Sequence, residues 1–166
     1  MAAGGNWDHE VDVLVVGSGN GGMTAALCAH DMGAGDVLLI EKSDKYGGGS
    51  SISGGGLWIP CNRYAQESGA DDSIEDALAY LDATVPEELT PRSMLRTYVE
   101  NGPRMIDFMH ERTRMRYINL PQYPDYYTTL PGARTGNRSL EPEPLMKSDL
   151  GDEAEHLLDT HHMMWM

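Results

Sequence analysis

Apolar positions near the start of the chain form two short β-branched runs, separated by an alanine-rich segment. The first run, residues 11–16, ends in glycine, and the second spans residues 37–41. Short continuous apolar runs are typical of buried parallel strands. Between them, residues 23–32 have the composition of a helix that Gly33 and Gly35 can end. The pattern therefore predicts a β-α-β unit with a right-handed crossover.

Beyond residue 60 the apolar spacing becomes helical. Ile74, Ala77 and Leu81 repeat on one face, and Ser73 with Asp76 resembles a capping box. Thr90 is predicted to cap a further helix with Pro91 at its first position. The pattern predicts helices over residues 62–67, 73–83, 91–100 and 105–112, a helix break at 101–103, extended segments at 57–60, 115–118 and 138–142, and irregular chain at 46–56 and 119–137.

Composition excludes several classes of function. The 166 residues carry 26 acidic and 12 basic side chains, a net charge of −14, which disfavours binding to a nucleic-acid backbone. Cys28 and Cys61 have no CxxC spacing, so we expect no disulfide framework and a reducing, cytoplasmic location. Residues 1–10 lack the features of a signal peptide, and no apolar run is long enough to span a bilayer. The adjacent His161 and His162 have no third ligand at useful spacing, so we expect no metal site.

Glycines at the first strand–helix junction form a G-x-G-x-x-G motif. Gly17 permits a sharp turn, Gly19 permits close approach of a pyrophosphate, and Gly22 permits close packing of helix and strand. The helix N-terminus would then face the phosphates. Glu41, at the end of the second strand, can accept hydrogen bonds from a ribose diol. The combination predicts a dinucleotide site, and its alternative is an ordinary glycine-rich turn.

A second glycine cluster, residues 46–56, indicates which dinucleotide is bound. A nicotinamide-binding domain usually continues from its second strand into another helix of the sheet. This segment instead offers Gly and Ser backbone and hydroxyl groups, which can line the far half of a longer cofactor. The cluster therefore favours FAD over NAD, with a flexible surface loop as the alternative.

Three segments together resemble the 3-ketosteroid dehydrogenases, FAD enzymes of the fumarate reductase and succinate dehydrogenase flavoprotein superfamily. They read VDVLVVGSGNGGMTAAL, EKSDKYGGGSSISGGGLWIP and YPDYYTTLPGARTGNRSLEPEPL, and the likeness runs from about Val11 to about Gly151. The first is shared by many flavoproteins, whereas the SGGGLWIP continuation and the third segment are more specific to the steroid branch. The resemblance implies an α/β fold, a Rossmann-like FAD-binding domain of the glutathione reductase type, incomplete here and with helical and loop-rich additions.

The resemblance also implies a reaction, the 1,2-desaturation of ring A of a 3-oxosteroid. A tyrosinate takes the C2 proton, and a hydride passes from C1 to flavin N5 and then to an electron acceptor. Tyr126 matches a family active-site tyrosine that assists the base, with Tyr127 as the fallback and loop packing as the structural alternative. The second glycine loop has no His where relatives with covalent flavin place theirs, so we expect non-covalent FAD.

The cofactor-binding residues follow from the same motifs. Those expected to hold the ADP half are Gly17, Ser18, Gly19, Gly21, Gly22 and Glu41, with Lys42 beside them. Those expected to line the rest of the FAD are Gly48, Gly49, Ser50, Ser53, Gly54 and Gly55.

Three segments are expected along the chain. Residues 1–60 hold the β-α-β core and the second glycine loop, residues 61–118 form a helical segment packed on it, and residues 119–166 lead toward a substrate domain that this chain lacks. The family's principal catalytic tyrosines would lie beyond residue 166, so we expect the chain to be the front part of a longer protein. Two alternatives remain open, a truncated non-catalytic FAD-binding fragment and a fumarate reductase-like or Δ4-desaturating flavoprotein. The oligomeric state is not predicted.

Overall fold

The computed structural model describes residues 7–159, which contain both helices and strands. In chain order the elements are β1 (Val13–Val16), α1 (Asn20–Asp31), β2 (Val37–Ile40), α2 (Gly48–Ser51), β3 (Leu57–Trp58), α3 (Arg63–Glu67), α4 (Ile74–Thr84), α5 (Arg92–Arg112), β4 (Tyr117–Asn119), β5 (Ser139–Pro142) and a 3-10 segment (Lys147–Glu155).

Contacts divide the chain into two compact units. The first unit combines the residues up to Ser53 with those from Met146 onward, and the second unit is Gly54–Leu145. The late residues join the first unit through backbone pairing, because the Tyr46 N–H donates to His156 O at 2.9 Å and the Leu158 N–H donates to Tyr46 O at 2.8 Å. This grouping differs from the three consecutive segments expected from the sequence. Those segments did not allow for residues near 156–158 pairing with Tyr46.

In the first unit, β1 and β2 pair in parallel with Val13 opposite Val37. Helix α1 connects them, as the apolar pattern predicted. The expected absence of regular structure at residues 46–56 is wrong at one place, because Gly48–Ser51 form the short helix α2. Gly47, at φ 113°, starts this turn, and the Ser51 N–H closes it on Gly47 O at 3.2 Å.

In the second unit, β5 lies between β3 and β4 in an antiparallel three-stranded sheet. Helix α5 packs near this sheet, and a buried apolar cluster lies between them. The cluster comprises Ile59, Ile106, Met109, Tyr117 and Leu140. Helix α4 begins as predicted, since Ser73 Oγ accepts a hydrogen bond from the Asp76 N–H at 3.1 Å.

Helix α5 corrects two predictions. It starts at Arg92 after Pro91, whose ψ of 138° is extended, so Thr90 does not cap it. It also runs through the expected break at residues 101–103, although an internal proline costs about 3 kcal/mol. Its buried face continues on both sides of Pro103, and the burial of that face opposes the local cost. Gly102 belongs to this face, since a Cβ there would lie 3.2 Å from Ile59 Cγ2.

None of the helices between residues 7 and 159 has both the length and the apolar character that crossing a membrane requires.

Candidate functional site

The first glycine loop joins β1 to α1 through a close backbone contact. Gly17 has φ 99°, a conformation that favours glycine. A Cβ added to Gly22 would lie 1.9 Å from Gly17 O, so only glycine allows helix and strand this near each other. Gly19 is the N-cap residue of α1 and makes no side-chain cap. The loop therefore presents backbone, rather than side chains, at the start of the helix.

Ser18 connects the ends of both strands and the second glycine loop. Its N–H and its hydroxyl both donate to Glu41 Oε2, at 3.0 and 2.6 Å. The Gly47 N–H in turn donates to Ser18 Oγ at 2.9 Å. Ser18 is fully buried. We call Ser18, Glu41 and Gly47 the polar node.

Glu41 is ionised and accepts hydrogen bonds from several protein donors. The Ser43 N–H donates to its other oxygen, Oε1, at 3.1 Å. The hydrogen bond from the Ser18 hydroxyl, followed by those from the Ser18 and Ser43 amides, lowers the pKa of Glu41 to about 2. A carboxylate has about four acceptor sites. The Lys42 backbone also hydrogen-bonds this carboxylate, so a ligand hydroxyl would share one of its oxygens with a protein donor.

The second glycine loop reaches the start of α1. Ser50 Oγ accepts a hydrogen bond from the Asn20 N–H at 3.1 Å. A Cβ on Gly48 would lie 3.6 Å from the Cα and N atoms of Gly19. The structure thus brings Gly48 and Ser50 together with the first loop. Ser53 is exposed and donates from its N–H to Ser50 O at 3.3 Å.

The remaining expected cofactor residues are less closely involved. Lys42 is exposed next to Glu41. Gly54 and Gly55 belong to the second unit. The fold itself accounts for Gly55, which has φ 75° and where a Cβ would lie 2.8 Å from Pro142 Cγ.

The glycine loops fit a dinucleotide. A Cβ on Gly21 or Gly49 would meet no atom of the described residues within 4 Å, so packing within the fold does not explain glycine there. Open glycines allow a ligand to approach the backbone closely. The first turn of α1 contains no acidic residue, so its dipole remains favourable to an anion, although the Asn20 N–H already donates to Ser50 Oγ. This set of donors suits the diphosphate of FAD.

The second unit contains a cavity of about 410 Å³, with Tyr126 on its wall. Other lining residues include Leu57, Trp58, Leu140 and Tyr123. Tyr126 is 84% exposed, which leaves its hydroxyl accessible. A hydrogen bond with Tyr126 raises the pKa of Tyr123.

Tyr127, the fallback for Tyr126, also lines this cavity. Its N–H donates to Tyr80 Oη at 3.2 Å, and its side chain is 60% exposed.

Asp125 lies directly before Tyr126, with both carboxylate oxygens occupied. The Trp58 indole N–H donates to Oδ1 at 2.6 Å, and Arg138 Nη1 donates to Oδ2 at 2.8 Å. The Arg134 N–H also donates to Oδ2, at 2.9 Å. Asp125 is only 5% exposed. Asp125 therefore links Trp58 and a buried cation to the loop of residues 125–134, which we call the tyrosine loop.

Arg138 is the buried cation, and it is 1% exposed. Its Nε and Nη2 donate to the two oxygens of Asp72 at 3.0 and 2.7 Å. Its guanidinium carbon lies 5.5 Å from the Trp58 ring centroid and 6.0 Å from that of Tyr80. Burial alone would lower the pKa of Arg138, but hydrogen bonds and the charges of Asp72 and Asp125 give a net increase, so it stays charged.

Sequence reasoning did not assign roles to Asp125, Arg138 or Trp58. All three lie inside the segments that carried the family resemblance, and a paired Asp and Arg within one loop was the available signal. Asp72 gave no such signal. His161 and His162 lie outside the described residues.

Known proteins resemble this chain across both units. It matches the family described as FAD binding domain over residues 12–164. A 3-oxosteroid 1-dehydrogenase of Mycobacterium tuberculosis is 42% identical over 90% of this chain and 26% of that protein. A 4-oxocyclohexanecarboxylate 2-dehydrogenase of Sinomonas cyclohexanicum is 40% identical over 88% of this chain and 25% of that protein.

A solved structure gives the same result. The 3-ketosteroid delta1-dehydrogenase from Sterolibacterium denitrificans, in complex with 1,4-androstadiene-3,17-dione, has a TM-score of 0.83 and 44% identity, covering 91% of this chain and 26% of that chain. The chain thus spans about a quarter of the length of these relatives. Since the family match extends over almost all of its residues, the chain belongs to the FAD binding domain family.

Proposed function

We propose that this chain forms part of an FAD-dependent 3-oxosteroid 1-dehydrogenase, which introduces a 1,2 double bond into steroid ring A. The observation that carries this proposal is the similarity to steroid dehydrogenases along 90% of the chain, including both glycine loops and the cavity that contains Tyr126. The reaction removes a proton beside the ketone and a hydride from the next carbon. When bound, FAD supplies the hydride acceptor.

On the cofactor side, the proposed fold is Rossmann-like and of the glutathione reductase type. The start of α1 holds the diphosphate, and the Glu41 carboxylate receives a ribose hydroxyl. Gly48 and Ser50 support this arrangement, because they lie against the first loop. The other expected cofactor residues keep their proposed roles, and non-covalent binding rests on the absence of His from residues 46–56.

On the substrate side, Tyr126 is the proposed catalytic residue of this chain. Its exposed hydroxyl donates to the tyrosinate base or orients it, while Tyr123 is hydrogen-bonded to Tyr126. Leu57 and Trp58 provide an apolar wall suited to a flat hydrocarbon ring. The pKa of an ordinary tyrosine is about 10, so the base needs such donors to ionise near neutral pH.

A smaller ring ketone with a carboxylate is the second candidate substrate, because a 40% identical relative is named for one. The cavity favours the steroid. Its described lining contains no Lys or Arg but does contain Asp125 and Glu141. A substrate carboxylate would find no cation in the described lining to offset its loss of hydration, and a neutral steroid needs none.

The test is turnover by protein expressed from the complete reading frame. We expect yellow, FAD-containing protein that desaturates a 3-oxosteroid with an artificial electron acceptor, and much slower turnover of 4-oxocyclohexanecarboxylate. Colourless protein without turnover would overturn the proposal. Flavin retention without dehydrogenation would favour the non-catalytic FAD-binding alternative. The natural electron acceptor and a cytoplasmic location stay predictions.

A further inference from the structure

We propose that Asp125 and Arg138 are positioning residues for dehydrogenation, because their ion pair fixes Tyr126 and Trp58 on the cavity wall. The inference rests on the proposed function, since it assigns the pair a role in the same reaction. It adds two residues that act on catalysis without contacting the substrate.

Hydrogen bonds close the tyrosine loop at its base. The Asp125 N–H donates to Arg134 O at 2.9 Å, and the Arg134 N–H donates back to Asp125 Oδ2 at 2.9 Å. Tyr126 is the first residue inside this closure. Its backbone position is therefore set by the Asp125 carboxylate, even though its own side chain is largely exposed.

The same carboxylate sets the orientation of Trp58. The indole N–H is bound at 2.6 Å by Asp125 Oδ1. The ring also stacks on Tyr98, with 6.5 Å between centroids and 9° between planes, and Arg138 lies over it. Asp125 thus connects Trp58 and Tyr126, two residues that line the cavity.

The chemistry of the cluster indicates orientation rather than proton transfer. Both oxygens of Asp125 are occupied by protein donors, so it has little capacity to serve as an acid or base. A buried ion pair is often no more stabilising than well-packed apolar side chains of similar volume. Its directional bonds nevertheless specify one arrangement, and here that arrangement fixes the residues beside Tyr126.

The decisive experiment uses Asp125→Asn in the FAD-loaded protein from the complete reading frame. The amide keeps the shape but only one acceptor oxygen, so in either orientation it places an N–H group against a donor, either the Trp58 indole or the pair Arg138 and Arg134. We expect kcat to fall by about 100-fold, the scale of a small misplacement in an active site, while KM changes little. Asp107→Asn is the matched control. It alters a surface partner of Arg63, 3.4 Å away, and should leave kcat unchanged.

A double-variant cycle with Tyr126→Phe separates positioning from general damage. If the pair acts through Tyr126, Asp125→Asn should cause little further loss of kcat in the Tyr126→Phe protein. Additive losses would overturn the proposal, and so would a wild-type kcat in either single variant.

Flavin absorbance establishes whether each variant folds. If Asp125→Asn does not retain FAD, Arg138→Lys takes its place in the double-variant cycle with Tyr126→Phe. Lysine keeps the positive charge but loses the paired guanidinium geometry. A non-additive decrease supports the proposal, and an unchanged kcat overturns it. Failure of the proposed function looks different, because the wild-type protein itself would then desaturate no 3-oxosteroid.

Discussion

The two units of this chain bury their apolar residues to very different extents. In the first unit the parallel strands leave Leu14 54% exposed and Val16 75% exposed. In the second unit Val99, Ile106 and Leu140 are fully buried, each with 0% exposure. Parallel strands are normally covered on both faces. The first unit therefore has the apolar composition of a buried sheet, but several of its strand residues are exposed.

Polar contacts also differ between the units. The first unit is organised around the polar node, where Glu41 is reached by solvent. The second unit encloses Arg138 and Asp125 among aromatic rings. Both units therefore contain a carboxylate bound by several donors. Losing those donors should cost more stability in the second unit, because a buried carboxylate cannot be hydrated instead.

The largest expected effects are on stability, and the first is that of Arg138→Met. Removing the guanidinium leaves Asp125 buried without its cation, while Asp72 keeps Arg134, whose Nε lies 3.5 Å away. Breaking a buried pair typically costs 3–5 kcal/mol, so we expect about 3 kcal/mol. Denaturant unfolding followed by circular dichroism measures the loss. Arg63→Met is the control, because Arg63 pairs only with carboxylates that are 48–65% exposed, and about 1 kcal/mol or less is expected. Equal losses would remove the contrast between buried and exposed charges.

A matched pair of leucines tests the apolar half of the comparison. Leu140→Ala should destabilise by about 2–5 kcal/mol, because it empties space in a closed core. Leu14→Ala should cost about 1 kcal/mol or less, because its side chain is already half in water. Both losses are measured as shifts in the unfolding midpoint. A similar loss at the two sites would mean that Leu14 is covered in the protein in solution.

The sequence predicted the local elements better than their burial. Continuous apolar runs located β1 and β2, an alanine-rich segment located α1, and helical spacing located α4. They could not show that residues such as Val16 stay exposed, since burial depends on which other layers are present. The predicted helix break at 101–103 was wrong for the same reason. The burial of one face of α5 outweighed the local effect of Pro103.

The candidate site was predictable only where a motif has a fixed geometry. The glycine spacing led to Gly17, Gly19 and Gly22 because backbone approach requires glycine itself. The ion pair of Arg138 with Asp125 depends on a fold that brings α4, β3 and the tyrosine loop together. No spacing rule encodes such an arrangement.

The smallest expected effect concerns the partly exposed carboxylate of Glu41. Its folded-state pKa of about 2 lies below the ordinary value of about 4.3. A lowered pKa stabilises the folded state above the ordinary value, and this contribution is lost as pH falls from about 4.3 through about 2. Ser18→Ala removes the main cause, so NMR titration of the Glu41 carboxyl should show its pKa rising toward the ordinary range. Ser43→Ala is the control, because Ser43 contacts Glu41 through its backbone N–H and the pKa should stay near 2. If Ser18→Ala leaves the titration unchanged, the polar node does not organise the first unit, and its order must come from strand pairing alone.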